Sequence, residues 1–317
     1  MQRALCDRPA GDYETGFCML CLAGVLVSRI PKKMDREAEL EVIRRAYAKQ
    51  IMAAAGVSDR RLEAAFATAP REQFLGPGPW QIVRWEQGYV PTPSANPVYI
   101  YDDVVVAILP ERTLNNGQPS LHAALLGAAA PKPGEHAVHI GIGGGYYTAI
   151  LARLVGHRGS VTAIEFDPGL AAWAAANLAG QRNVRVIHGD GAQVAFDPAD
   201  VIYVNAGATR PADRWLEGLA EGGRLILPLT ADGFPNRDVR HGAVFRITRQ
   251  GEDFFARRVS GVAIFPCTGM RDPETARALR EAFETGRDRE VRRLYRRGDL
   301  PAEQCWLKAP DWCLAYD

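Results

Sequence analysis

From residue 35 to residue 55, apolar side chains recur at Leu40, Ile43, Tyr47, Ile51 and Met52, close to the period of about 3.6 residues that marks an amphipathic helix. Gly56 closes that segment. Ser58 reads as the N-cap of a second helix carrying Leu62, Ala65 and Phe66, which Pro70 stops. A loop rich in Gly, Pro and aromatic residues covers 74–101, and the short apolar run 104–109 reads as a strand. Asn115, Asn116 and Gly117 mark a turn, and the small apolar stretch 120–130 reads as a helix. The pattern then changes. Apolar strands at 137–140, 161–165, 184–188, 201–205 and 224–228 alternate with helices at 147–155, 170–179 and 214–219. Such alternation predicts a mostly parallel sheet with helices on both faces. Segments 243–248 and 254–264, joined by a turn at Gln250-Gly251, predict an antiparallel hairpin. From Arg271 the chain is charged and helical in pattern, with Trp306 and Trp312 near its end as plugs for a groove on the main domain.

Composition narrows the picture only a little. The chain has 317 residues, 47% apolar and 24% charged, with a formal net charge of +1. That is ordinary for a globular protein, and the charge does not nominate DNA or RNA as a partner. Six cysteines are scattered rather than dense, which predicts reduced thiols and a cytoplasmic protein. Cys18 and Cys21 form a CxxC that Cys305 and Cys313 would have to complete for a zinc site; a second CxxC is missing and no metal is expected. No apolar run reaches the roughly 18 residues of a membrane span. The apolar run 17–27 follows Asp7, Asp12 and Glu14, so residues 1–33 read as an N-terminal extension. The expected organisation is that extension, a helical subdomain with the active-site turn (34–130), a cofactor-binding domain (131–270) and a C-terminal helical extension (271–317).

Candidate chemistry lies at the ends of the strands. The strand at 137–140 runs into Gly141-Ile142-Gly143-Gly144-Gly145-Tyr146, where glycines let the backbone pass close under a ligand and turn into a helix. Glu165 ends the next strand, placed to accept hydrogen bonds from both hydroxyls of a ribose. Asp190, in Gly189-Asp190-Gly191, follows the third strand, where it can accept from an adenine amino group. A dinucleotide fingerprint would need glycine at 146, and Tyr146 stands there. A cofactor with adenosine and no pyrophosphate fits: S-adenosyl-L-methionine, leaving as S-adenosyl-L-homocysteine.

Five stretches, in order, carry a resemblance. They are Leu62-Glu63-Ala64-Ala65-Phe66 with Pro70-Arg71-Glu72-Gln73-Phe74, Tyr101-Asp102-Asp103 through Gly117-Gln118-Pro119, the glycine loop from His139 to Tyr146, Gly189-Asp190-Gly191, and Gly222-Gly223-Arg224-Leu225-Ile226-Leu227-Pro228. Over roughly residues 58–270 the chain resembles the protein L-isoaspartyl O-methyltransferases. The resemblance implies an α/β, Rossmann-like class I methyltransferase fold: a mostly parallel twisted sheet with helices on both faces and an antiparallel C-terminal hairpin. It implies methyl transfer to the side-chain carboxylate of damaged aspartyl residues in a protein or peptide. It also implies a cofactor set of His139, Gly141, Gly143, Gly145, Tyr146, Glu165, Asp190 and Gly191.

The chain departs from that family in two places. The family's serine before Gln-Pro, close to the reacting carboxylate, is Gly117 here, and its acid before the glycine loop is His139. By resemblance Asn115, Asn116 and Gln118 stand next to the methyl group as catalytic candidates, while Gly117, His122 and Asn205 are assigned to the substrate. Asn115 to Gly117 also read as a plain turn, His122 as a packing residue and Asn205 as a loop cap. A carboxylate acceptor is already ionised and needs no general base, so alignment carries the catalysis. Three functions stay open on the residues alone: carboxyl O-methylation of an aspartyl or isoaspartyl group, methylation of another acceptor (a small metabolite, modified peptide or RNA), and non-catalytic cofactor binding.

Overall fold

The computed structural model describes residues 35–84, 86–231, 240–296 and 299–317. The extension at 1–33, with Cys18 and Cys21, lies outside the described residues. Leu40–Asp317 forms one unit.

The amphipathic pattern becomes helix α1 (Arg36–Ala55), which buries Leu40, Tyr47, Ala48, Ile51 and Met52. Helix α2 (Arg60–Thr68) follows. Its N-cap is Asp59 rather than the expected Ser58: the carboxylate accepts from Arg61 N at 2.8 Å and Leu62 N at 3.2 Å. An ionised cap also complements the positive end of the helix dipole. The loop region holds two small hairpins, β1 (Gln81–Arg84) with β2 (Gly88–Pro91), and β3 (Ala107–Leu109) with β4 (Leu114–Asn115). The strand expected at 104–109 is thus shorter, because its first residues spend their backbone groups on other segments: Val105 O accepts from Val83 N. Helix α3 (Pro119–Ala129) ends this region.

The alternating segment gives β5 (His136–Ile140), α4 (Tyr146–Val155), β6 (Ser160–Glu165), α5 (Pro168–Asn177), β7 (Val184–His188), β8 (Ala199–Val204), α6 (Asp213–Glu217) and β9 (Leu219–Ala231). Then come β10 (Arg240–Gln250), β11 (Asp253–Ile264), α7 (Pro273–Thr285), β12 (Arg293–Tyr295), β13 (Cys305–Lys308) and β14 (Cys313–Ala315). One sheet holds them in the order β13-β14-β12-β11-β10-β9-β8-β5-β6-β7. Strands β9, β8, β5, β6 and β7 are parallel neighbours. From β9 outward all pairings are antiparallel, beginning with the expected hairpin of β10 and β11.

Successive residues of each strand face opposite cores. Ala137, Val161, Ala163, Val201 and Tyr203 join the apolar cluster under α1 to α4. Val138, Ile140, Ile164, Ile202 and Val204 join a second cluster with Trp215 of α6 and Leu279 of α7. This period-2 division puts helices on both faces of the sheet, as the apolar strands predict.

The tail differs from its sequence pattern. Among its described residues the one α-helix is α7, followed by single 3-10 turns at Asp288–Glu290 and Ala302–Gln304 and by three short strands that extend the sheet. Apolar triplets such as Cys305-Trp306-Leu307 are too short for a helix, but they pair the otherwise open edge beyond β11. Trp306 and Trp312 are buried in the second cluster, and Trp306 Nε1 donates to Ala282 O at 3.1 Å. No described helix is long and apolar enough to cross a membrane. Among the described residues no cluster of His, Cys, Asp and Glu is placed to hold a metal ion, and Cys305 and Cys313 are buried free thiols.

Candidate active site

The chain leaves β5 toward β6 and β7 on one side, then returns to β8 on the other. Open α/β sheets bind ligands at the crevice this reversal makes beyond the carboxyl ends of the strands. Here a cavity of about 320 Å3 lies at that place, within the range of small-molecule sites. Its floor is the loop after β5, where Gly141, Gly143 and Gly145 all have positive φ. Asn205, just past β8, braces the loop: its backbone N donates to Ile140 O at 2.8 Å and its Nδ2 to Gly141 O at 3.3 Å.

Glu165 closes β6 and lines the cavity while 7% exposed. Its Oε2 accepts from Gly143 N at 2.9 Å and its Oε1 from Asp167 N at 3.1 Å. These bonds orient the carboxylate and leave each oxygen a further acceptor position for a ribose hydroxyl. Asp190, after β7, accepts from Ala192 N through Oδ1 at 2.9 Å and also lines the cavity. Cys267 stands beside it; burial first, then the Asp190 charge, pushes that thiol up to about 12, so it stays protonated. Arg112, between β3 and β4, spans the cavity rim to Asp167 at 2.6 Å. Among the described residues it is the single cationic side chain in the lining, against carboxylates of Glu165, Asp167 and Asp190. Because Arg112 is already paired, a phosphate would meet mainly negative charge there, whereas a positively charged sulfonium meets complementary charge.

The wall beyond the glycine loop is uncharged. Asn115 and Asn116 both line it, with Tyr146 and Tyr147 of α4. Asn115 Nδ2 donates to Tyr89 Oη at 3.1 Å, and its Oδ1 accepts from Gly117 N at 2.9 Å. Asn116 Oδ1 accepts from Val106 N at 3.1 Å and from Arg71 Nη2 at 3.3 Å, so the amide is held from behind.

The cavity therefore gathers Asn115, Asn116, Gly141, Gly143, Tyr146, Glu165, Asp190, Gly191 and Asn205 of the sequence-derived candidates. Five others stand outside its wall. Gln118 is exposed and donates to Asp103 Oδ2 at 2.8 Å, away from the cavity. Asp103 also accepts from Ser120 N and Oγ, which makes it the anchor of the α3 N-terminus. Gly145 turns the chain into α4 and packs against α5, where a Cβ would lie 2.9 Å from Leu178. His139 is fully buried and Nδ1 contacts Thr148 Oγ1 at 2.9 Å. Burial lowers its pKa to about 3, so the ring is neutral, and it stands behind the loop rather than in the cavity lining.

His122 and Gly117 form a pair. The imidazole stacks on Tyr147 with centroids 3.6 Å apart and holds Tyr203 Oη through Nδ1 at 2.7 Å. Burial, then the neighbouring His139 and Arg71, lower its pKa well below 6.5, so it is neutral. A Cβ on Gly117 would fall 2.3 Å from His122 Nε2. Gly117 also has φ +71°, a backbone region that disfavours a serine. The imidazole fills the space a serine side chain would sweep.

Residues that the pattern of the sequence did not nominate are Tyr147, Arg112 and Arg71. Tyr147 sits beside Tyr146 at the start of a helix, which was a usable signal. Arg71 carries no local sign of burial, and only tertiary packing places it behind Asn116.

Strand order, an acidic cavity at the switch point and paired carboxylates at successive strand ends define a class I, S-adenosylmethionine-dependent methyltransferase. The family model described as Protein-L-isoaspartate(D-aspartate) O-methyltransferase matches residues 49–271, and the chain belongs to that family. It is 34% identical over 239 residues to a Protein-L-isoaspartate O-methyltransferase of Rhodopseudomonas palustris, covering 73% of this chain and 97% of that one. It is 33% identical over 180 residues to the protein of that name from Thermotoga maritima, covering 55% of this chain; it spans only about half, 51%, of that relative's length. A solved structure of a protein-L-isoaspartate O-methyltransferase superposes with a TM-score of 0.59 at 25% identity, covering 76% of this chain and 69% of that one. The cofactor of this enzyme is S-adenosylmethionine.

Proposed function

We propose that this enzyme methylates the side-chain carboxylate of isoaspartyl residues in proteins or peptides. The observation that carries the reading is the polarity of one continuous cavity: an acid-lined nucleoside end at Glu165 and Asp190, and an uncharged amide wall at Asn115 and Asn116. Family membership supports the same substrate class.

When bound, S-adenosylmethionine supplies an electrophilic methyl group on a sulfonium. Glu165 and Asp190 would hold its ribose and adenine over the glycine loop. Asn115, Asn116 and Asn205 would hold the acceptor toward that methyl group. A carboxylate nucleophile needs no proton removed at neutral pH, and both buried histidines near the wall are neutral and already engaged. The rate then comes from alignment, which can be worth roughly 7–11 kcal/mol. With no hydroxyl at Gly117, amide donors rather than a serine meet the acceptor.

The test is transfer of labelled methyl from S-adenosylmethionine to an isoaspartyl peptide, beside the same peptide with normal aspartate. The expected result is base-labile label on the isoaspartyl peptide alone. Cofactor binding without label on either peptide would overturn the substrate assignment.

A further inference from the structure

The family match ends at residue 271, and the chain beyond it contributes β12 to the sheet next to β11. The face built over β10, β11 and β12 carries a depression of about 510 Å3 lined by Arg246, Thr248, Phe255, Arg257, Arg292 and Arg293. Register explains the grouping. Arg246 stands opposite Arg257 across β10 and β11, and Phe255 opposite Arg293 across β11 and β12. Residues two apart on a strand share a face, so Phe255 and Arg257 join the two pairs. From Arg257 strand β11 runs on to Ile264, and Phe265 after it lines the cavity. Those eight steps of extended chain cover roughly 26 Å, so the two sites are separate.

Like charges directly opposite on paired strands repel and weaken a sheet. Arg246 Nε is also buried without a hydrogen-bond partner. Burial, then repulsion from Arg257 and Arg224, lowers the Arg246 pKa. Arg224 is balanced by Glu135, and Arg293 lies over the Phe255 ring at 4.6 Å and pairs with Asp253 at 3.1 Å. Among the described residues no carboxylate forms an ion pair with Arg246, Arg257 or Arg292. Glu290 feels the Arg292 charge but is bound to Arg287 at 2.7 Å. Asp317, the one acid in the lining, pairs with none of them. The whole chain carries a net charge of only +1, so this is a local excess that the fold leaves without counter-ions.

We infer that this face is a docking site for an acidic segment of the protein substrate, whose carboxylates pair with Arg246, Arg257 and Arg292 while the acceptor residue occupies the distant cavity. The inference deepens the protein-substrate reading and rests on it. Guanidinium forks match carboxylates two bonds at a time. Three strands give a face about 10 Å wide, the scale of one extended peptide. A nucleic acid would call for a longer basic track and a more basic chain.

Fluorescence anisotropy of a labelled hexaglutamate peptide, beside hexaglutamine, tests the face at low salt. Arg257 and Arg292 are exposed, so the double variant Arg257→Gln/Arg292→Gln keeps the core intact. Hexaglutamate alone is expected to bind the wild type, and the double variant to bind it roughly 10-fold more weakly. The Tm of Arg257→Gln should equal or exceed that of the wild type, because one of two opposed charges is gone; a lower Tm with unchanged binding would make Arg257 structural and overturn the site. Equal affinity for the two peptides, or for wild type and double variant, would overturn it too. So would tighter binding of a single-stranded RNA oligomer than of hexaglutamate. In the activity arm, an isoaspartyl peptide joined to hexaglutamate by a flexible linker able to span roughly 26 Å is compared with the peptide alone. The extension is expected to raise kcat/KM through a lower KM, and the double variant to abolish that gain while leaving the plain peptide unchanged. Equal kcat/KM for the two peptides in the wild type would overturn substrate docking. Failure to methylate either peptide would sink the isoaspartyl reading by itself, and with it substrate docking, while the anisotropy result still decides whether the face binds acidic chains.

Discussion

Serine is incompatible with this backbone at residue 117 for two separate reasons. The φ of +71° disfavours any side chain, and a Cβ would meet His122 Nε2 at 2.3 Å. Gly117→Ser is therefore expected to lower stability by roughly 1–3 kcal/mol in urea denaturation. Part of that loss should disappear in the Gly117→Ser/His122→Ala double variant, giving a non-additive cycle; strict additivity would show that the two positions do not meet. His139 makes a second prediction. Its folded pKa of about 3 lies below its ordinary 6.5, so the unfolded chain binds a proton that the native state refuses. The native state has its full stability above about pH 6.5 and loses it as pH falls toward 3, by about 1.4 kcal/mol per unit. His122, shifted in the same direction by burial, acts in the same window. Replacing His139 with leucine should reduce the slope of stability against pH between 6 and 4 by about one proton; an unchanged slope would contradict a buried neutral ring. What was legible from sequence was the position of residues tied to strand ends, Glu165, Asp190 and Gly141, at the cavity, because the fold carries them to the switch point. Gln118, His122 and His139 were not, since their directions are set by Asp103, Tyr203 and Thr148, which are distant in sequence or on another element.

The element proposed to position the cofactor is the junction of β5, its glycine loop and α4, and Glu165 ties it to β6 through Gly143 N. Glu165→Gln turns one acceptor into a donor facing a backbone N–H. Affinity for S-adenosylhomocysteine is expected to fall by about 10-fold or more in calorimetric titration; an unchanged affinity would remove Glu165 from the ribose site. The strands of the parallel half could be read from their continuous apolar runs, and the hairpin of β10 and β11 from its turn at Gly251. Boundaries were harder where backbone groups have competing partners, as at β3, and at Asp59, where a stronger cap stands one residue after the expected one. Strands as short as β12 and β14, with three residues each, carry no period to read.

Across the whole molecule the tail is part of the sheet rather than an appendage. Leu279, Trp306, Trp312 and Leu314 lie in the same buried cluster as Leu227 and Phe245 of the central strands. Deleting residues 273–317 would expose that face and open the β11 edge, so the truncated chain is expected to lose its cooperative thermal transition and to bind an apolar dye. A sharp transition near that of the full chain would show the tail to be dispensable. The acidic nucleoside end and the amide wall together form the central claim, a cavity shaped to bring a methyl donor to a carboxylate. Its most direct measurement is mass spectrometry of an equimolar mixture of isoaspartyl and aspartyl peptides incubated with enzyme and S-adenosylmethionine. One base-labile methyl on the isoaspartyl peptide, matched by one S-adenosylhomocysteine formed, is the predicted result; methylation of neither peptide, or of both equally, would contradict it.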